Sequence, residues 1–151
     1  SVNILTNLAI RNNKITVFGG SQLRPNLHIN DYANVVKLLI ESEENKINGE
    51  IFNVGSQNLS ILEIAKLVQK NVPMYFKNIN DIEIEITESN DPRSYHINSD
   101  KIKEKLGFEP RLTVNDAIKD ICEAFSNNLF KDSLKDINYF NVKKIKQLNV
   151  K

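Results

Sequence analysis

The 151-residue chain has a single cysteine, two histidines and five glycines, and each scarcity removes a class of function. Cys122 alone forms no internal disulfide and completes no cysteine-based zinc site. His96 has only His28 for company, which suggests no histidine metal site. No strand-like run leads into G-x-G-x-x-G or G-x-x-G-x-x-G, so the dinucleotide-binding fingerprint is absent. No apolar run approaches the roughly 20 residues of a membrane span, and no signal-peptide pattern opens the chain. The expected setting is therefore the cytoplasm, with no membrane partner. Neither sign of charge dominates: 20 Lys and Arg against 19 Asp and Glu leave a net +1. With no basic stripe interleaved with aromatics, no nucleic-acid partner is expected. What is there, 40% hydrophobic and 26% charged residues without repeats, is the make-up of one globular domain with a real core.

Val2, Leu5, Leu8 and Ala9 recur at helical spacing, so the chain opens inside a helix without an obvious cap, as if cut from something longer. Ile15 to Phe18 is a β-branched and aromatic run, read as a strand that Gly19-Gly20 turns. Arg24 precedes Pro25, which pushes it toward extended geometry on a loop. Asn30 or Asp31 is placed to cap a helix whose Tyr32, Val35, Val36, Leu39 and Ile40 form one apolar face. Ile51 to Val54 reads as a strand stopped by Gly55. Ser60 and Glu63 form a capping box, with Leu59 and Ile64 as its staple, for a helix from Ile61 to about Lys70. Pro73 marks a loop from Asn71 to Asp81, and Ile82 to Thr87 alternates strictly as a half-buried strand with its carboxylates in solvent. Asp91-Pro92-Arg93 is a second loop arginine. Asn98 or Ser99 caps a short helix that Gly107 ends. Thr113-x-x-Asp116 opens a longer helix with Val114, Ala117, Ile118, Ile121, Cys122 and Phe125 on one stripe. Residues 1–128 are expected to form one lobe. The tail, 129–151, is a candidate docked helix anchored by Phe140, Val142, Ile145 and Leu148.

Arg24 and Arg93 are the residues best suited to chemistry. A guanidinium offers a planar, permanently charged fork of donors that matches phosphate oxygens. The bland alternative is that each pairs with a nearby acid such as Asp31 or Asp91. His28 alternates with apolar Leu27 and Ile29, which favours a hydrogen-bonded structural role, and Cys122 in its apolar stripe belongs to the core.

FGGSQLRPNLHINDYANVVKLLI (Phe18 to Ile40), the later Asn53-Val54-Gly55, and DPRSYHINSDKIKEKLGFEP (Asp91 to Pro110) stand in order along the chain. Together they resemble the extended short-chain dehydrogenase/reductases, the nucleotide-sugar epimerases and dehydratases, from about Ile15 to Phe125. The resemblance implies an α/β fold made of the short strands and helices of that family's C-terminal lobe, lacking most of the Rossmann sheet. It implies that Arg24 and Arg93 grip the diphosphate of a nucleotide sugar and that Asn26 lines the nucleotide pocket. Tyr139-x-x-x-Lys143 has the spacing of the family's catalytic pair, but there the pair precedes the substrate segments, so no catalytic residue is assigned.

On this resemblance the chain is the substrate-binding portion of an NAD(P)-dependent epimerase or dehydratase, with no cofactor expected on this portion alone. Its partner is an N-terminal Rossmann half that carries the catalytic pair. A rival reading is a non-catalytic nucleotide-sensing or subunit-interaction module of the same ancestry. With the Rossmann sheet missing, the apolar strand Ile51 to Val54 is expected to keep an open edge or an uncovered face and to drive self-association.

Overall fold

A computed structural model describes residues 1–90 and 93–148. α1 (Val2–Asn12) begins without a side-chain cap and ends on Asn13 in the left-handed region (φ 52°), a conformation asparagine tolerates. β1 (Lys14–Phe18) follows, and its alternation sends Ile15 and Val17 fully inward. Gly19 and Gly20, at φ 78° and 113°, make the turn. The Gln22 amide clamps it, accepting from Gly20 N (2.6 Å) and donating to Phe18 O (2.7 Å). A Cβ on Gly19 would lie 2.8 Å from that amide.

The turn leads into β2 (Leu23–Asn26), which pairs antiparallel with β3 (Gln57–Ser60), Arg24 opposite Leu59. Arg24 thus sits on a strand and not on a loop. The extended geometry that Pro25 imposes on it is already that of a strand, and a two-stranded sheet has only edges, where proline is tolerated. β1 pairs parallel with β4 (Glu83–Thr87), Ile15 beside Ile84. Ile82 is buried and Ile84 partly so, while Ile86 is exposed and Lys14 pairs with both Glu83 and Glu85.

α4 (Ile61–Tyr75) carries the expected Ser60/Glu63 capping box but runs through Pro73 to Tyr75. A proline in the last turn removes one backbone bond, and fully buried Val72 holds that turn against the core. α6 (Val114–Ser126) starts on the Thr113/Asp116 box. α1, α4 and α6 close over β1, burying Leu5, Ala9, Ile64, Val68, Ile118 and Cys122 among others. Each large aliphatic side chain so buried contributes about 1.5–3 kcal/mol relative to exposure.

Three further expectations are corrected. Ile51 to Val54 forms no strand: no neighbouring strand among the described residues offers it a ladder. Instead Lys101 Nζ donates to Ile51 O (2.9 Å) and lies 5.2 Å from the Phe52 ring centroid. α2 (Ile29–Glu41) buries only Asp31 and Val35 from its own length. Tyr32 is 55% exposed and Ile40 79%, so most of its apolar face is uncovered. Its N-cap is His28, whose ring nitrogen accepts from Asn30 N (3.2 Å). The Asp31 side chain is spent elsewhere, accepting from Arg111 N (2.9 Å) and Leu112 N (2.8 Å).

α3 (Glu44–Ile47) is one short turn. α5 (Asp100–Leu106) has Ser99 as its N-cap without a side-chain capping bond, while Asn98 Oδ1 accepts from Asp100 N (2.8 Å), and it ends on Gly107 at φ 69°. Beyond α6 the chain is stapled to α1. Arg11 donates to Phe130 O (2.9 Å) and lies 5.0 Å from the Phe125 ring centroid, and Ser133 donates to Asn7 Oδ1 (2.7 Å). A 3-10 turn (Ile137–Tyr139) and α7 (Asn141–Gln147) complete the described tail, with Val142, Ile145 and Leu148 exposed.

Candidate functional site

Residues 93–99 are stitched along the β2–β3 sheet. Leu23 N donates to Ser94 Oγ (2.9 Å), Asn58 both donates to Ile97 O and accepts from Ile97 N (3.0 Å each), and Gly55 N donates to Ser99 Oγ (2.9 Å). This stitching brings the two candidate arginines together across the sequence. Arg24 Nη1 donates to Arg93 O (2.7 Å) and to Leu23 O (2.8 Å). Its guanidinium carbon lies 5.1 Å from the centroid of the Tyr95 ring, within cation–π range. Arg24 is partly buried and Arg93 exposed, and the contact between them runs from the Arg24 guanidinium to the Arg93 backbone carbonyl. Of the acids named as alternative partners, Asp31 commits Oδ2 to backbone amides, and Asp91 lies outside the described residues.

Asn26, two residues along β2, donates its amide to Arg24 O (2.8 Å) and Gln57 O (3.2 Å). Its amide nitrogen therefore holds the strand pair together. Asn26 and Gln57 face a cavity of about 750 Å³ that His28, Tyr32 and Asp120 also line. His28 is buried there as a structural residue. Because Nδ1 accepts the Asn30 amide, the ring proton sits on Nε2, which faces Asp120 Oδ2 at 3.3 Å. Tyr95 and Ser94, which orient Arg24 and the strand beside it, escaped the sequence reading. The one signal was their position beside Arg93.

Tyr139 and Lys143 do not face each other on one helix. Tyr139 ends the 3-10 turn and packs edge-on against Phe130, while Lys143 lies on α7 over the Phe140 ring at 4.5 Å. Nor do the glycines build a cradle for a dinucleotide. Gly19-Gly20 follows β1 but leads into β2, and Gly49, Gly55 and Gly107 follow no strand. A phosphate-binding turn needs a strand, then glycines, then a helix N-terminus. The described residues therefore contain no dinucleotide-binding turn of that kind. Among them there is also no group of three potential metal ligands, and no helix is long and apolar enough to cross a membrane.

This mixed α/β lobe is, by its family and structural matches, the C-terminal part of an extended short-chain dehydrogenase/reductase. The chain belongs to the GDP-mannose 4,6 dehydratase family, whose model matches residues 2–121. It is 28% identical over 130 residues to UDP-glucuronic acid decarboxylase 4 of Arabidopsis thaliana, covering 85% of this chain and 28% of that protein. Against dTDP-glucose 4,6-dehydratase of Shigella flexneri the identity is 27%, covering 80% of this chain and 34% of that protein. Among solved structures, the UDP-glucose 4-epimerase of Thermotoga maritima with UDP-glucose superposes at a TM-score of 0.68 and 26% identity. That match covers 85% of this chain and 40% of the epimerase chain. The chain thus spans about a third or less of the length of these curated relatives.

Proposed function

We propose that this chain is the nucleotide-diphosphate-sugar-binding portion of an NAD-dependent epimerase or dehydratase. The observation that carries the reading is the junction of Arg24 with Arg93, in a chain whose family and structural relatives are nucleotide-sugar enzymes. Arg24, braced by two carbonyls and the Tyr95 ring, is the fixed half of an anion clamp, and Arg93 supplies the outer charge. Two guanidiniums on one diphosphate give charge-assisted hydrogen bonds and fix its orientation. Asn26 Oδ1 faces the nucleotide. The chain binds and positions. Hydride chemistry belongs to the partner half, which holds NAD and covers the open apolar face of α2. Without that half, copies of the chain associate through the same face.

Calorimetric titration with UDP and dTDP tests the clamp. We expect binding that weakens as salt rises, falls about tenfold or more in Arg24→Ala, an interaction of about 1.4 kcal/mol, and falls also in Arg93→Ala. NAD should give no saturable heat. Unchanged diphosphate binding in both variants would overturn the reading.

A further inference from the structure

The uncovered face of α2 is accounted for by the proposed partner half, but the exposed apolar residues of α7 lie beyond residue 121, where the family match stops. Val142, Ile145 and Leu148 are 68%, 52% and 59% exposed. At about 100° per residue they fall within one third of the helix circumference. Lys144 and Lys146 border that arc on its two sides, and Lys143 lies opposite, its ammonium over Phe140. α7 itself has no acidic residue. The nearest acids on the tail, Asp132 and Asp136, belong to the docked stretch, where Asp136 Oδ1 accepts from Asn138. That stretch is moored by Arg11, Phe130 and Ser133, so α7 hangs from a fixed base.

We propose that α7 is an interfacial anchor that lays Val142, Ile145 and Leu148 into the headgroup boundary of an anionic bilayer, with Lys144 and Lys146 at phosphate level. A short helix with an aliphatic arc between lysines suits such a surface, which demands charge and apolar depth but no complementary shape. The other occupants fit less well. A second copy would bring like charges together. A helix about 10 Å long covers far less than the roughly 800 Å² per partner of a stable protein interface. Single-stranded nucleic acid is gripped by stacking aromatics, and this arc is aliphatic. The inference revises the expectation that the chain has no membrane partner, and it is independent of the diphosphate clamp.

The test is co-sedimentation of the full chain with phosphatidylcholine vesicles, with and without phosphatidylserine. We expect at least tenfold preference for the anionic vesicles, loss of that preference in Lys144→Glu/Lys146→Glu, and loss of binding in Ile145→Ser/Leu148→Ser. These positions are exposed, and an unchanged circular dichroism spectrum confirms that the variants remain folded. Equal partitioning onto both vesicles, or binding that survives Ile145→Ser/Leu148→Ser, would overturn the proposal. So would self-association or RNA binding that depends on the same residues while vesicles are ignored.

Discussion

Glu50 shows how much a partly exposed group is changed by its neighbours. Lys101 Nζ lies 2.7 Å from Glu50 Oε2, and Lys105 approaches the other oxygen. The hydrogen bond from Lys101, then that from Lys105, lowers its pKa to about 2. A carboxylate depressed in the folded state contributes stability that is fully present above its ordinary value. That contribution is lost as pH falls through about 2. We expect the Glu50 carboxyl resonance to titrate with a midpoint of about 2 in the folded chain and to return toward the ordinary range in Lys101→Ala/Lys105→Ala. A midpoint already ordinary in the parent chain would mean that the lysines do not hold it. The same cluster fastens the 50–52 segment to α5, so its charge state bears on whether that segment stays put. Cys122 stands at the other extreme: burial pushes its thiol up to about 11, which leaves it inert.

The starts of α4 and α6 are where sequence and structure agree best, because the Ser60/Glu63 and Thr113/Asp116 boxes are complete within four residues. The Ser60 amide, then its hydroxyl, hold Glu63 below the usual carboxylate range, and the Thr113 hydroxyl, then its amide, do the same for Asp116. Ser60→Ala should cost about 1 kcal/mol in urea unfolding; a change within error would show that packing alone fixes the start of α4. Elements that depend on distant partners were harder to read. β3, Gln-Asn-Leu-Ser, has no strand composition and is a strand because β2 lies beside it. Ile51 to Val54 has the composition and lacks the neighbour. Pro73 reads as a stop when taken alone, yet Val72 beside it is buried by residues far away. The site divides the same way. Arg24 and Arg93 are visible as residue types, whereas their meeting depends on Ser94, Asn58 and Ser99 stitching one segment to a sheet about 40 to 70 residues away.

For the molecule as a whole, the uncovered residues of α2, Ile29, Tyr32, Val36 and Ile40, with Ile4 of α1, set the behaviour in isolation. The strand edge expected to drive association is absent, and we propose that α2 takes over that role. Contiguous exposed apolar surface marks an interaction site. Sedimentation velocity across a concentration series should show reversible association that Tyr32→Lys/Ile40→Lys relieves. A single monomeric species at every concentration would refute this.

The parallel pairing of β1 with β4 sets a clock. Lys14 must wait for Glu83. Ile118 and Cys122, which share the core with Ile15 and Val17, are made later still. At about 5–20 residues per second, β1 leaves the ribosome seconds before β4, α4 and α6 exist. Over that interval the only native cover for its buried face is α1, which precedes it in the chain. Whatever shields that nascent strand, a chaperone or a passing non-native contact, acts before the fold described above has formed.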